Sequence, residues 1–503
     1  MPAPLSLIAA LLATAPDAVL AEPSEAYIIA DVTVISAQFS GPLEHQDVLI
    51  EAGLITQMGP DLVVPHTIDR IDGSGLYLIP GLIDSHVHVY HATGLRRRYT
   101  EDYDELYAAY MEQTPLSYLY YGYTSLIETN SDAESSAQFS ERSTRPRLFE
   151  CGQGVILPDG FMALELPEGE VASLYPNFLH DRFGSGYLPD GASAEDHTPQ
   201  AVVERIADAG GVCVKLYYEE ALWWPDGDAP DFALPSLEIL REVDEAAGAR
   251  GLTILLHATT PRGHEIAMDA GIDALAHGLW EWPGVAYDAP GTPGGIATLL
   301  QREAASGIGI QPTLRTIRNT QSMFDAGFLD DPALKNVLPA VYIDYLRGDA
   351  QVQRDIFVEM FGPLLDPDAD MDGLAALQLA FNERNERQTG DLDAAGARLL
   401  FGTDTAVGGF GWGNPPGLNG YLEMQAWARG GVGLRSLFEA ATSRNADAFG
   451  LGDQIGRVAP GLRADLLLLR ANPLETVFAY EAIELIILDG NLLDRQSLSA
   501  RRD

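Results

Sequence analysis

The stretch that decides the fold prediction reads Pro80-Gly81-Leu82-Ile83-Asp84-Ser85-His86-Val87-His88. It opens with an apolar run typical of a buried strand and closes on two histidines two positions apart. Because alternate residues of a strand face the same way, His86 and His88 are expected to project from one face. A lone His-x-His is weak evidence for a metal site. The rest of the chain is needed to predict the fold that contains this strand.

Seven similar runs follow the first strand, and helical patterns alternate with them. The eight predicted strands are Gly81–Val89, Tyr123–Glu128, Arg147–Gly152, Val212–Tyr217, Thr253–His257, Ala274–His277, Gly307–Pro312 and Leu399–Asp404. Alternation of this kind predicts an α/β fold, and eight units predict a (β/α)8 TIM barrel whose chemistry lies at the C-terminal ends of its strands. Two long connections, residues 158–200 and 313–395, are expected to form lids, specificity elements or plain insertions on that face.

Both ends of the chain are rich in strand patterns, unlike the middle. Short strands are predicted within residues 26–80, including a hairpin around Ala52-Gly53, and again at Ala464–Leu469 and Ile483–Leu488. We expect these segments to pair into one small β-sandwich. The predicted domains are therefore residues 22–80 plus 451–503 for the sandwich and residues 81–450 for the barrel.

Residues 1–21 resemble a secretory signal peptide, because the apolar run Leu5–Ala13 precedes small residues suited to cleavage. This predicts a periplasmic or secreted protein. The alternative is an Ala-rich disordered extension on a cytoplasmic protein. The run is too short for a permanent span, so no stable membrane anchor is expected.

The composition excludes some classes of partner. The formal charge is −42, from 31 Lys+Arg against 73 Asp+Glu. Nucleic acids and anionic membranes both need basic patches, so neither is an expected partner. The acidic excess predicts a hydrated surface, and a small-molecule substrate is the expected partner. A homo-oligomer is compatible with the sequence.

The two cysteines, Cys151 and Cys213, lie in predicted strands. Two cysteines do not make a disulfide framework, and we expect free buried thiols. The alternative is a bridge between neighbouring strands after export.

Metal-binding side chains lie at the ends of several predicted strands. His257 ends the fifth strand, His277 the sixth and Asp404 the eighth, and these join His86 and His88. Five such residues at one end of a barrel predict a metal site, since polar plugs would not converge there. Imidazole and carboxylate ligands suit zinc, with manganese, iron or cobalt as alternatives.

The fourth strand adds Lys215, whose ammonium would be repelled by metal ions and poorly solvated when buried. The amine can react with carbon dioxide to give an anionic carbamate that bridges two metals, and the charge argument favours this form. Otherwise Lys215 points away and pairs with an acid.

The complete pattern resembles the metal-dependent amidohydrolase superfamily. The residues that carry the resemblance are Pro80 to His88, His257, His277, Gly402-Thr403-Asp404, and Pro460-Gly461-Leu462-Arg463-Ala464-Asp465. Lys215 in its Val-Lys-Leu setting is similar to the prolidase-like and imidazolonepropionase-like branch with a carboxylated lysine. The resemblance implies one metal on His86, His88 and Asp404, a second on His257 and His277, and a bridge by carboxylated Lys215.

These residues predict a hydrolase that cleaves an amide C–N bond by attack of a metal-bound hydroxide, with Asp404 as the catalytic proton carrier. Tyr217 or Tyr218 would stabilise the oxyanion, unless they only pack. Five tryptophans follow barrel strands and suggest a bulky apolar substrate group, unless they anchor loops: Trp223, Trp224, Trp280, Trp282 and Trp412.

Arg262 and Arg315 also follow barrel strands, and either could clamp a carboxylate. The predicted substrate is thus a dipeptide or an N-acyl amino acid with a bulky apolar group. The alternatives are hydrolysis of cyclic amides, esters or phosphotriesters on the same centre, and a non-catalytic periplasmic binding protein.

Overall fold

The computed structural model describes residues 26–95, 103–131, 133–167, 169–222, 231–325, 327–365, 370–406 and 411–501. The predicted signal segment, residues 1–21, lies outside these ranges. Their strands are β1 Ala26–Val34, β2 Leu43–Glu51, β3 Leu54–Gly59, β4 Asp69–Asp72, β5 Tyr77–Pro80, β6 Leu82–Val87, β7 Tyr123–Glu128, β8 Arg147–Glu150, β9 Cys213–Tyr217, β10 Thr253–His257, β11 Ala274–Ala276, β12 Gly309–Gln311, β13 Arg398–Leu399, β14 Leu466–Leu469, β15 Ile483–Leu488 and β16 Asn491–Leu493.

Helices alternate with the central strands. The α-helices are α1 Asp104–Tyr120, α2 Ala133–Ser140, α3 Val171–Leu174, α4 Pro199–Asp208, α5 Leu237–Arg250, α6 Pro261–Ala270, α7 Gly294–Ser306, α8 Leu314–Arg318, α9 Leu334–Val337, α10 Ala340–Leu365, α11 Met371–Ala394, α12 Leu418–Gly430, α13 Leu434–Glu439 and α14 Asn445–Ala448. A π-helical turn spans Ala440–Arg444, and short 3₁₀ turns span Phe161–Glu165, Ala194–His197, Asn319–Met323, Phe328–Asp330, Val477–Glu481 and Arg495–Leu498.

The central strands form two parallel sheets, in the orders β6-β7-β8 and β13-β12-β11-β10-β9. Backbone contacts join the sheets at both edges. On one side the Val212 N–H donates to the Glu150 carbonyl at 2.8 Å, and on the other the Asp404 N–H donates to the His86 carbonyl at 2.8 Å. Backbone hydrogen bonds thus link the two parallel sheets at both edges, and each predicted strand overlaps a strand of the structure.

The two ends of the chain meet in a second, eight-stranded sheet of order β16-β15-β14-β5-β1-β2-β3, with β4 on β1. The antiparallel pair β5–β14 joins the N-terminal and C-terminal strands, as predicted. The β2–β3 hairpin turns at Ala52 and Gly53, which both have positive φ, as a tight hairpin turn of the primed type requires. The strand β4 was not predicted because three of its four residues, Asp69, Arg70 and Asp72, are polar and exposed.

Helix caps fix the points at which the crossover helices begin. The Thr260 hydroxyl accepts a hydrogen bond from the Gly263 N–H at 3.1 Å and starts α6, with Pro261 in the first turn. Gly271 ends that helix in the left-handed conformation. The cap stands three residues after His257, so it holds the chain that leaves β10.

The two long connections differ in secondary structure. Among the described residues, 313–395 contain α8 to α11, whereas 158–200 contain short helical turns, α3 and the start of α4. Within the described ranges, no helix combines the length and the apolar content that crossing a membrane would need.

The expectation of two free thiols is wrong, because Cys151 and Cys213 form a disulfide. Cys151 directly follows β8 and Cys213 begins β9, and these neighbouring strands bring their Cα atoms to 4.4 Å. Side chains at this spacing can bridge without backbone movement. Both half-cystines are fully buried in an apolar cluster with Ile127 and Leu255.

We predict that the denatured, unreduced protein shows no reactive thiol and that reduction exposes both. Replacing the two cysteines by alanine is expected to lower the free energy of unfolding by about 2–5 kcal/mol, because the bridge restrains the unfolded chain. Thiol titration and denaturant unfolding measure these effects. Two reactive thiols in the unreduced protein would contradict the bridge.

Candidate metal centre

Three predicted ligands converge at the ends of β6 and of the segment that follows β13. His86, His88 and Asp404 each offer one ligand atom, and these atoms lie within 4.8 Å of one another. The Asp404 Oδ1 atom is 3.4 Å from the His86 Nε2 and 3.0 Å from the His88 Nε2. Two imidazoles and a carboxylate at this spacing are a suitable donor set for a divalent transition metal.

His257 and His277 lie beside this group. Their ring centroids are 4.7 Å apart, and the His277 ring is 5.4 Å from the His86 ring. The structure thus brings together the five predicted histidine and aspartate ligands at one end of the parallel strands.

Lys215 lies on β9 and is two percent exposed, and its Nζ atom has no hydrogen-bond partner among the described residues. Burial lowers the pKa of its amine to about 7, although the Asp404 carboxylate opposes the shift. The alternative that Lys215 turns away to pair with an acid does not describe this structure. A buried amine without a partner is costly, and a neutral or modified amine relieves that cost.

Hydrogen bonds from neighbouring strands orient the histidine rings. The Gln311 amide donates to the Ser85 carbonyl at 2.9 Å, which leaves its Oε1 to accept from the His86 Nδ1 at 3.0 Å. The Nδ1 of His88 is 3.3 Å from the Glu128 carboxylate. In both rings the Nδ1 therefore donates to a partner, and the Nε2 on the side of Asp404 is the nitrogen left for a metal.

The other two rings are held in a similar way. The His257 Nε2 is 2.8 Å from the Glu219 carboxylate, so its Nδ1 is the nitrogen left for a metal. The His277 Nδ1 is 2.8 Å from the Thr313 hydroxyl, which leaves its Nε2. Partners of this kind fix ring orientation and raise ligand basicity.

Two of the candidate ligands have left-handed backbone, which is uncommon outside glycine. His277 has φ of 85° and Asp404 has φ of 55°. The His277 N–H donates to the Gln311 carbonyl at 3.0 Å, and the Asp404 N–H bond to His86 is described above. Hydrogen bonds to neighbouring strands thus hold both residues in this conformation, which sets the direction of their side chains at the strand ends.

The electrostatics favour the metal-binding forms of His86 and Asp404, whereas His88 has to lose a proton to bind. Burial alone would lower the pKa of His88, but Asp404 and Glu128 raise it to about 9. Burial lowers the pKa of His86 well below its ordinary value, and Lys215 lowers it further. Burial alone would raise the pKa of Asp404, but His86, His88 and His277 outweigh it and hold the pKa well below its usual range. A neutral imidazole and an ionised carboxylate are the ligand forms.

The predicted substrate contacts have different surroundings. The Tyr217 ring is 5.8 Å from the His257 ring, and the Trp280 ring is 4.4 Å from the His277 ring. Tyr218 is one percent exposed in the apolar core, so the packing alternative describes it. The side chain of Arg262 on α6 is 71% exposed, with its guanidinium 3.9 Å from the Glu220 carboxylate.

Arg315 is buried, and its guanidinium donates to the Asn419 side chain at 2.9 Å and to the Gly413 carbonyl at 2.6 Å. It is therefore a structural residue in this conformation. Trp282 and Trp412 are also buried and anchor loops, whereas Trp223 and Trp224 lie outside the described residues.

The sequence analysis missed the residues that orient the ligands: Glu128, Glu219, Gln311 and Thr313. Glu128 and Gln311 are the last residues of β7 and β12, so the strand-end rule that found the ligands could also have found them. Glu219 and Thr313 follow strand ends by two residues, and nothing in their local pattern indicates a contact with histidine.

Comparison with known families agrees with this site. The sequence profile of the amidohydrolase family matches residues 363–493. The matched segment is about a quarter of the chain, and of the candidate ligands Asp404 lies within it.

Curated proteins are similar to parts of this chain, and two of them illustrate the range. A dihydroorotase of Mycobacterium tuberculosis is 45% identical over 62 residues, which are 12% of this chain and 14% of that protein. An imidazolonepropionase of Stenotrophomonas maltophilia is 26% identical over 231 residues, 41% of this chain and 51% of that protein. The chain thus spans about half of one relative and about a seventh of the other.

The fold of this chain is similar to that of a solved Xaa-Pro dipeptidase with methionine in its active site. The two align with a TM-score of 0.60 and 17% identity, over 93% of this chain and 100% of the other. At this identity the likeness shows the fold, and it extends over nearly the whole chain.

We predict that Gln311→Leu weakens metal binding by about 10–100-fold, because the His86 ring loses the acceptor that orients it. Metal affinity, measured by competition with a chelator, tests this. The matched control is Gln200→Leu, since Gln200 is exposed on α4. Equal affinity in the two variants would contradict the orienting role of Gln311.

Proposed function

We propose that the protein is a metal-dependent hydrolase of amide C–N bonds, and that its substrate is a dipeptide or an N-acyl amino acid with a bulky apolar group. The observation that carries the proposal is the buried, unpartnered Lys215 amine among five metal-binding side chains. In this proposal the barrel of residues 81–450 holds the chemistry, and the sheet of residues 22–80 plus 451–503 supports it.

The donor set fits one or two divalent metals, with zinc as the first choice and manganese, iron or cobalt as alternatives. His86, His88 and Asp404 would hold one ion, and His257 and His277 a second. A bound divalent ion lowers the pKa of water and polarises a carbonyl group.

Lys215 would serve this centre as a carbamate. The lone pair of its neutral Nζ attacks the carbon of carbon dioxide, and the nitrogen then loses one proton. The product is an anion with two oxygen donors, and it replaces an amine that lacks a partner. Carboxylation thus replaces a buried cation, which would be unfavourable beside metal ions, by an anion.

Asp404 would carry the proton of the reaction. Its Oδ2 accepts a hydrogen bond from the Thr316 hydroxyl at 3.2 Å, and its Oδ1 faces the two histidines. An ionised carboxylate held in this way takes a proton from the attacking water and returns it to the leaving nitrogen. Tyr217, at the rim of the site, would stabilise the oxyanion.

Export to an oxidising compartment is part of the proposal. The buried Cys151–Cys213 bridge supports it, since such bridges persist in the periplasm or outside the cell and are rare in the cytosol. Export also agrees with the predicted signal segment, residues 1–21.

The similarity to a dihydroorotase, an imidazolonepropionase and an Xaa-Pro dipeptidase does not favour one substrate. Linear amides are our first candidates, and cyclic amides, esters and phosphotriesters are alternatives for the same centre. A substrate panel separates these classes. If the protein shows no metal-dependent turnover of any of these classes, a non-catalytic binding protein is favoured.

The first experiment compares Lys215→Ala with Lys335→Ala, because these two residues are the only lysines of the chain. Lys335 is exposed on α9 and is the matched control. We expect about two metals per chain in the wild type and in the control, and fewer in Lys215→Ala. Elemental analysis of protein purified with bicarbonate measures this.

Carbon-13 NMR with labelled bicarbonate completes this test. A carbamate resonance is expected in the wild type and in Lys335→Ala, and it should be absent from Lys215→Ala. One metal per chain in all three proteins would contradict the carbamate bridge between two metals and would favour a mononuclear hydrolase.

We predict that Asp404→Asn lowers kcat by at least about 100-fold on any amide that the wild type cleaves, because the proton carrier is lost. Asp288→Asn, in an exposed loop, is the control. Circular dichroism verifies that both variants fold. Full activity in Asp404→Asn would exclude Asp404 as the proton carrier.

Trp280→Ala and Arg262→Ala test the predicted substrate contacts. We expect KM to rise in both variants for a carboxylated amide with a bulky apolar group, because each loses a contact to the bound substrate. Unchanged steady-state kinetics in both would count against this role of the two residues.

A further inference from the structure

The short helix α8 places two threonine hydroxyls against the candidate metal ligands. The Thr313 hydroxyl, just before the helix, is 2.8 Å from the His277 Nδ1, and the Thr316 hydroxyl donates to the Asp404 Oδ2 at 3.2 Å. In the proposed centre these two ligands belong to different metals. The position of one five-residue helix therefore bears on both metal sites.

A helix of this length needs support from outside itself. The first N–H groups of an α-helix have no acceptor within the helix, and so short a helix is not stable alone. The side chain of Thr313, the residue before α8, does not cap it. Thr313 instead has left-handed backbone, with φ of 44°, and its hydroxyl meets His277.

Glu423 of α12 supplies the acceptors for the first turn of α8. Its Oε1 accepts from the Leu314 N–H at 3.0 Å, and its Oε2 accepts from the Arg315 N–H at 2.7 Å. The Trp427 Nε1, one turn further along α12, donates to the same Oε1 at 2.8 Å. Glu423 is fully buried. A buried carboxylate with bonds on both oxygens holds its partners rigidly.

A second residue of α12 ties the same parts together. Asn419 accepts from the Arg315 guanidinium, as described above, and its amide donates to the Thr405 hydroxyl at 2.6 Å. Thr405 directly follows Asp404. The helix α12 thus contacts both α8 and the segment that carries Asp404, so it fixes Thr316 relative to that ligand.

We propose that Glu423 is a positioning residue of the metal centre, which acts through Thr313 on His277 and through Thr316 on Asp404. The inference rests on the proposed metal-dependent function and adds a residue that sets the geometry of both metal sites. Without the carboxylate, two N–H groups at the start of α8 lose their acceptors. The first turn then shifts, and both hydroxyls leave their ligands.

The test compares Glu423→Gln with Asp181→Asn, since each change keeps the size of the side chain and removes one acceptor oxygen. Asp181 is the matched control because it is also buried and its two oxygens accept from the backbone N–H groups of Phe183 and Ser236. We expect the affinity for zinc, measured by competition with a chelator, to fall by about 10–100-fold in Glu423→Gln alone. Wild-type affinity in folded Glu423→Gln, or equal losses in both variants, would overturn the proposal.

A cycle of variants separates positioning from a general loss of stability. Thr313→Val and Thr316→Val each remove one hydroxyl, and each should weaken zinc binding. In the protein with both threonine changes, Glu423→Gln should cost only about a further 2-fold in affinity, because the residues through which it acts are already gone. The full additional loss in that background would overturn the proposal. Unchanged zinc affinity in both threonine variants would also overturn it, even if Glu423→Gln does not fold.

These measurements do not depend on amide cleavage. A protein that binds zinc but cleaves no amide contradicts the proposed function and still gives a result for the cycle. If the wild type binds no zinc, nitrogen-15 NMR of the histidine rings replaces the affinity. We then expect one tautomer of His277, protonated at Nδ1, in the wild type and in Asp181→Asn, and a mixture of tautomers in Glu423→Gln. The same tautomer in all three proteins would overturn the proposal.

Discussion

Hydrogen bonds between β6 and the segment after β13 are the contacts on which the candidate metal centre depends. The Ser85 N–H donates to the Phe401 carbonyl at 3.0 Å, beside the bond from Asp404 to His86. The Asp84 carboxylate accepts from the Thr403 N–H at 3.0 Å, across 319 positions of the chain. These contacts join the first and last parallel strands, and without them Asp404 would not lie beside the two histidines.

A second set of constraints acts on the rings themselves. Each ligand nitrogen is available because the other nitrogen of its ring has a partner, such as Gln311 for His86 and Glu219 for His257. The rings are therefore oriented by protein contacts alone, which reduces the reorganisation needed when a metal binds. Lys215 differs from them because no described group satisfies its amine.

The sequence predicted the strand positions and the convergence of the ligands well, because both follow from periodicity and from the rule that barrel strands end on one side. It could not predict which residues hold the rings. Glu219 meets His257 across neighbouring strands, and a single sequence does not reveal such tertiary pairs. The bridge between Cys151 and Cys213 was only the second choice for a related reason: it depends on the register of β8 against β9, which local patterns do not determine.

The bridge also removes two possible metal ligands from the neighbourhood of the candidate site. Cys213 and Lys215 are two positions apart on β9, so their side chains face the same way. Free thiolates are strong ligands for zinc and copper, whereas a disulfide sulfur is a poor one. With both sulfurs oxidised, the groups at this site that offer strong donor atoms are imidazoles and carboxylates rather than thiolates.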